Sequence, residues 1–309
     1  MSRPSGHPTG RRDLPVTLVQ ACLRGGGGGS PTAVLDEASV TGSPLTDDER
    51  RGVPVRVGTS HAVFLSDDRD RADSGGRDRP EISARFFTAK GELPACGHGT
   101  VAALAFLAER ADGREYRATL RVSGRRTAGR AVREASSVEV AFEVGPVALR
   151  EPTAGELALI LPALRIPTAA LAPGVCIATL GRPRLIIPVT TRSALAVLDP
   201  APERLSAACD RLGLLGCFVH SPMAATGRVA ARMFAPSIGV PEDIANANSS
   251  ACLAAHLVAR QGVTGIAVDM GDAISSPSTV TARPRHTSSG PLIEVISAAK
   301  TRHVLRLPG

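Results

Sequence analysis

The chain has 309 residues, 43% hydrophobic but only 3% aromatic, with one tyrosine and no tryptophan. That length carries one large domain or two ordinary ones, with a core built from Ala, Val, Leu and Ile rather than rings. The net charge of +7 rests on arginine, since Lys90 and Lys300 are the only lysines among 36 basic residues. These arginines are scattered and not interleaved with stacking aromatics. They read as GC-rich coding or as the mild positive charge of an enzyme that draws in an anion, and they do not indicate a nucleic-acid binder.

Residues 1–13 are polar, lack an apolar signal core and read as a disordered leader. A strand is expected over 14–21, closed by the glycine run 25–29, and a second over 32–35. The glycine run lacks the Lys-Ser/Thr ending and the GxGxxG context of phosphate loops and reads as a flexible turn. Residues 41–50 read as a turn followed by a short polar helix, 62–65 as a strand, and 68–80 as an exposed hairpin loop. Further strands are expected at 131–144, 175–177, 185–189, 217–221, 264–269 and 292–297. No apolar run reaches ~18 residues, so no membrane span is expected. The cysteines, Cys22, Cys96, Cys176, Cys209, Cys217 and Cys252, form no CxxC pair and no short metal spacing. A reducing, cytoplasmic setting follows, with no disulfide framework, and neither a metal nor a nucleotide is expected, since no metal-ligand spacing or complete phosphate motif is present.

The most informative feature is an internal repeat. Arg85-Phe86-Phe87-Thr88-Ala89 leads into Glu92-Leu93-Pro94-Ala95-Cys96-Gly97-His98-Gly99-Thr100 and then an apolar stretch over 101–108. About 147 residues later, Arg232-Met233-Phe234-Ala235-Pro236 leads into Pro241-Glu242-Asp243-Ile244-Ala245-Asn246-Ala247-Asn248-Ser249-Ser250 and another apolar stretch over 251–259. Each unit reads strand, acidic turn, small polar residues, helix. The helices have almost no polar face, so each belongs at the core of its own half.

Helix starts leave backbone N–H groups unpaired and carry partial positive charge. Gly97, Gly99 and Thr100 in one unit, and Asn246, Ala247, Asn248 and Ser249 in the other, are small enough to let an anion approach that backbone. Either stretch alone suits helix capping, whereas the two together, with His98 and Asp243 beside them, favour a site. If the halves pack face to face, the two starts converge on one cleft for a carboxylate. Cys96, just before a helix start, is a candidate nucleophile or proton carrier, or a small core residue. His98 is an acid–base candidate, with Asp243 beside the second start. Ser60 and His61 stand at a strand start, where a histidine is commonly structural.

These same residues carry a family resemblance. The stretch 92–100 resembles the E-L-P-x-A-G-H-P-T signature of the PhzF-like isomerases, named for phenazine biosynthesis. Arg232 to Pro236, with Gly239, Glu242 and Asp243, resembles their R-x-F-x-P…G-x-x-E-D-P-A-T-G-S-A segment. Gly29-Ser30-Pro31-Thr32-Ala33-Val34 resembles their G-N-P-x-A-V turn, and 179–188 their T-G-x-P-x-L-L-V-P strand. The resemblance implies an α+β, diaminopimelate-epimerase-like fold: two pseudo-symmetric halves, each a curved sheet around a central helix, with the active site between them. It also implies no cofactor or metal, and commonly a homodimer. The halves would be 14–148, with the C-terminal strand 298–309 added, and 149–297.

The sequence departs from the family at telling places. The early Ser-Glu pair, whose Glu shuttles the proton, is Ser60-His61 here. The signature's alanine is Cys96, as in proline racemases and diaminopimelate epimerases, yet the second cysteine of those epimerases is replaced by Asn246. The final Ser of E-D-P-A-T-G-S is Asn248, and its Pro is Ile244. The expected function is a proton shift on a small anionic, unsaturated amino or imino acid. His61 is the expected shuttle and Cys96 the competitor. His98 and Asp243 would assist, and Ser60 with the backbone near Gly97, Gly99, Ala247 and Asn248 would hold substrate. Members of this family act in actinobacterial pathways to 4-alkylproline antibiotic units, which supplies the most specific expectation. Still open are a Cys96-dependent racemase, epimerase or hydroxyproline dehydratase, and a non-catalytic binder of small acids.

Overall fold

The computed structural model describes residues 13–67, 79–287 and 290–308. Residues 1–12 of the expected leader and residues 68–78 of the expected hairpin loop lie outside them, while Asp13, expected in the leader, opens the first strand.

The first strand, Asp13–Ala21, buries Leu14, Val16, Val19 and Ala21, a period-2 pattern shifted once by a bulge between Leu18 and Val19. It pairs antiparallel with Ser30–Asp36, which runs parallel to His61–Asp67. The order continues through Glu81–Thr88 (antiparallel), Glu115–Val122 (parallel), Arg125–Arg133 and Val138–Val144 (both antiparallel). The long strand Gly290–Pro308 then pairs with both Val138–Val144 and Asp13–Ala21, and the ring closes. Inside the barrel lies the helix Gly97–Arg110, with Val101, Ala102, Ala103, Leu104 and Ala105 wholly buried. Its apolar circumference is satisfied because strands surround it on every side.

The second half repeats the pattern. Cys176–Leu180 pairs antiparallel with Arg182–Pro188, which runs parallel to Cys217–His220. Arg228–Ala235 follows antiparallel, Ile266–Met270 parallel, then Ser278–Thr287 and Gly290–Pro308 antiparallel. The sequence of parallel and antiparallel pairings is the same as in the first half. These strands wrap the helix Ala247–Gln261, whose residues 247–254 are buried. The repeat extends to side chains. Arg85 lies 5.0 Å over the Phe87 ring and binds Glu92, while Arg232 lies 4.9 Å over the Phe234 ring and binds Glu242. In both units the pair pins the strand to the acidic turn that aims the helix start inward.

Several elements differ from expectation. The stretch 131–144 is two strands, because Glu134 N–H donates to the Ser137 carbonyl at 2.8 Å and turns the chain. The strands expected at 292–297 and 298–309 are one continuous strand, Gly290–Pro308, which changes partners midway. The polar helix runs Asp47–Val57, longer than expected, fixed at its start by a Thr46–Glu49 capping box and held by buried Val53 and Pro54. The glycine run is a turn but a fastened one. Arg24 N–H and Gly27 N–H donate to each other's carbonyls, and Gly29 N–H donates to the Pro277 carbonyl. Outer helices Ala154–Leu164 and Pro202–Leu212 pack Ile160, Leu164 and Leu205 on the second sheet. All six cysteines are free and buried. Among the described residues no helix is long and apolar enough to cross a membrane.

Candidate active site between two helix starts

Four expected residues from three distant stretches meet where the halves join. His61 opens the strand His61–Asp67, opposite Thr32. Cys96 is the N-cap of the helix Gly97–Arg110, and His98 lies in its first turn. Asp243 ends the strand Val240–Asp243. All are buried, His61 and His98 to 2% exposure. The two imidazole rings stand edge to face with centroids 4.3 Å apart. Cys96 Sγ is 3.6 Å from His98 Nε2. His98 Nδ1 donates to the Ala245 carbonyl at 2.8 Å and lies 3.9 Å from Asp243 Oδ2. On the other ring, His61 Nδ1 is hydrogen-bonded to Ser60 Oγ at 2.8 Å.

The helix starts abut. A Cβ on Gly97 would stand 2.6 Å from Ala247 Cβ and 2.8 Å from the Asn248 nitrogen, so only glycine permits the approach. The positive ends of two helices therefore face one junction, an arrangement that favours an anion there. The first start has no side-chain cap, whereas Asn246 caps the second, its Oδ1 accepting from Ser249 N–H at 2.9 Å. Asn246 Nδ2 also donates to Asp243 Oδ2 at 2.9 Å, fixing the carboxylate.

The structure brings some expected residues to this junction and turns others away. Cys96, Thr100 and Asn248 line a cleft of about 340 Å³ between the hairpin around Ser123 and that around Gly181, with Arg125, Arg126 and Arg182 at its walls. Thr100 Oγ1 is spent on the Cys96 carbonyl, and Ser249 Oγ accepts from buried Arg184. Gly99 makes room for Phe86 and the Cys96 thiol: a Cβ there would lie 2.8 Å from the ring and 3.0 Å from Sγ. Two features carry no plain mark in the sequence. The Ala245 carbonyl orients His98, which no side-chain pattern announces. Ser30, buried with an unpartnered Oγ, sits two residues before Thr32, the neighbour of His61, and the Gly-Ser-Pro turn is its one signal.

The electrostatics separate the two histidines. Burial, helped by the nearby charge of His98, pushes His61 well below the ordinary imidazole value. Burial also acts on His98, but Cys96 and Asp243 and the bonds to Cys96 and the Ala245 carbonyl outweigh it and lift His98 to about 9. Asp243 is raised by burial, against the pull of His98 and Asn246. A neutral imidazole thus sits against a cationic one. The cluster also carries metal-ligating atoms: those of His61, Cys96 and His98 all lie within 4.8 Å of one another. Linear spacing hid this set because a strand start and a helix start supply it.

The family model described as "Phenazine biosynthesis-like protein" matches residues 23–293. The chain is similar to the uncharacterized isomerase YddE of Escherichia coli K12, 27% identical over 222 residues, covering 69% of this chain and 70% of that protein. A solved predicted epimerase from Pseudomonas aeruginosa superposes with a TM-score of 0.78 at 24% identity, over 96% of this chain and 99% of that one. A phenazine biosynthesis protein of Bacillus anthracis superposes with a TM-score of 0.76 at 17% identity, over 96% and 99%. The fold is the two-half, epimerase-like one expected from the sequence.

Proposed function

Because the chain belongs to the phenazine biosynthesis-like protein family, a family of isomerase- and epimerase-like proteins, we propose that it is a cofactor-independent isomerase that shifts a proton on an unsaturated amino or imino acid. The observation that carries this reading is geometric: His61, Cys96, His98 and Asp243 converge beside two abutting helix starts. The substrate carboxylate binds in the positive field of those starts, near the backbone of Gly97, Gly99, Ala247 and Asn248. His61, neutral at rest, accepts a proton from one carbon as its C–H pair moves into the conjugated system. The same imidazolium returns the proton to the far carbon on the same face, so the double bond shifts and no net proton is consumed. His98, held by the Ala245 carbonyl and Asp243, keeps positive charge beside the developing anion. General acid–base catalysis of this kind contributes ~10²–10⁴-fold.

A second reading follows from Cys96, which lines the cleft and lies 3.6 Å from His98. There the thiol carries the proton, as a racemase, an epimerase or a hydroxyproline dehydratase would use it. The narrower reading is a place in secondary metabolism, on a 4-alkylproline precursor, in a cytoplasmic homodimer. Its support is the family resemblance and the arginine-rich composition. The test incubates the purified protein in deuterated water with a panel of unsaturated amino and imino acids, followed by proton NMR. A shifted double bond supports the isomerase. Exchange at the α-carbon alone, lost in Cys96→Ser, supports the thiol reading. Binding without exchange or isomerisation makes the protein a binder of small acids.

A further inference from the structure

His61 and Cys96 stand where the family signature has a glutamate and an alanine. The two departures meet in space, and with His98 they assemble two imidazoles and one thiol. That donor set suits a borderline-soft divalent ion of the zinc class and not magnesium or calcium, which favour oxygen. The spacing of one pair fits as well, and the ligand atoms of all three residues lie within 4.8 Å of one another. Tetrahedral zinc, with Zn–S of about 2.3 Å and Zn–N of about 2.0–2.1 Å, holds S and N roughly 3.5 Å apart. Cys96 Sγ and His98 Nε2 are 3.6 Å apart.

The surroundings have the form of an outer coordination shell. Ligating histidines ordinarily bond through the second ring nitrogen to a carbonyl, carboxylate or other polar group, which orients the ring. His98 Nδ1 donates to the Ala245 carbonyl, with Asp243 behind it, and His61 Nδ1 bonds to Ser60 Oγ. Both Nδ1 atoms are thus engaged, leaving each Nε2 to ligate, with the Nε2 proton of cationic His98 and the Cys96 thiol proton released to solvent as the ion binds. Three protein ligands leave a fourth zinc position for water or a carboxylate, reached from the cleft that Cys96 lines.

We infer that His61, Cys96 and His98 form a capture site for a zinc-class ion, and that its occupancy switches the enzyme off. The binding stands on the donor geometry alone. The switch rests on the function proposed above, because an Nε2 bound to metal cannot take a proton.

The test uses the full chain, stripped with chelator under reducing conditions. Zinc and magnesium binding are measured by calorimetry, and cobalt(II) serves as the spectroscopic probe. The expected result is one tight equivalent of zinc and none of magnesium, with tetrahedral cobalt bands and a thiolate-to-cobalt charge-transfer band. Cys96→Ser abolishes that band. His61→Gln and His98→Gln each weaken zinc binding more than Ser60→Ala, which weakens it about 10-fold by loosening an outer partner. Cys217→Ala, which removes a thiol hydrogen-bonded to Cys209 elsewhere in the second half, leaves the zinc equivalent unchanged. Absence of a tight equivalent, or one indifferent to Cys96→Ser, overturns the site. Zinc-loaded protein is then assayed by double-bond shift. Loss of activity restored by chelator supports the switch, and faster turnover with zinc overturns it. If neither form shifts or exchanges any acid, the proposed function falls and the switch with it, while the calorimetric and cobalt results still decide the site.

Discussion

His61 and His98 stand edge to face, 4.3 Å between ring centroids, one kept neutral by burial and the other held cationic beside Cys96 and Asp243. They come from different elements of one barrel, His61 from a strand start and His98 from the helix inside it. Their roles follow from their partners. His61 bonds to Ser60 through Nδ1, whereas His98 is anchored across the junction to the second half through the Ala245 carbonyl.

The abutment of the helix starts depends on Gly97. Gly97→Ala places a methyl group 2.6 Å from Ala247 Cβ and 2.8 Å from the Asn248 nitrogen, so the two starts must part. Overpacking of this kind costs about 1–3 kcal/mol. Urea denaturation is expected to show that loss, and calorimetry weaker binding of carboxylate ligands. Unchanged stability and binding would mean that the starts do not abut.

Asn246 is expected to act as a cap and a tether, not as a direct substrate ligand. Its side chain satisfies Ser249 N–H and holds Asp243. Asn246→Ala should cost about 1 kcal/mol in stability. Asn246→Ser keeps a cap acceptor but withdraws the donor from Asp243. It should retain most of the stability while lowering turnover. Equal stability losses in both variants would count against the capping role.

Acid should destabilise the fold partly through His220, away from the site. Burial, opposed by a bond to the Ser221 carbonyl and reinforced by His256, lowers it from 6.5 to about 4. The unfolded chain therefore binds this proton at higher pH than the folded one. The contribution is fully present above pH 6.5 and is lost as pH falls toward 4, up to about 3 kcal/mol. Denaturation of wild type and His220→Gln across this window reads it as a difference. The variant should show the shallower loss, and parallel curves would contradict the assignment.

Much of this was legible in the sequence because the repeat is physical. The Arg–Phe–Glu arrangement at Arg85, Phe87 and Glu92 recurs at Arg232, Phe234 and Glu242, and each aims an all-apolar helix inward. The convergence of the helix starts was expected on the condition that the two halves pack face to face, and the small residues at 97 and 247 permit it. What stayed hidden depends on long-range pairing. The change of partners along Gly290–Pro308 leaves no local mark, since both parts alternate alike. The turn at 134–137 was masked by flanking residues that suit either one strand or two. The metal-ligating set was invisible because His61 and Cys96 are neighbours only once the barrel closes around its helix.

The central claim is that His61 carries the proton. Single-turnover isomerisation by wild type, His61→Ala and Cys96→Ala, with substrate affinity measured alongside, tests it most directly. His61→Ala is expected to slow the chemical step by at least ~10²-fold with affinity nearly unchanged, since acid–base work is lost and the carboxylate site remains. Cys96→Ala is expected to cost less. If His61→Ala turns over at the wild-type rate and Cys96→Ala loses activity, the thiol carries the proton and His61 does not.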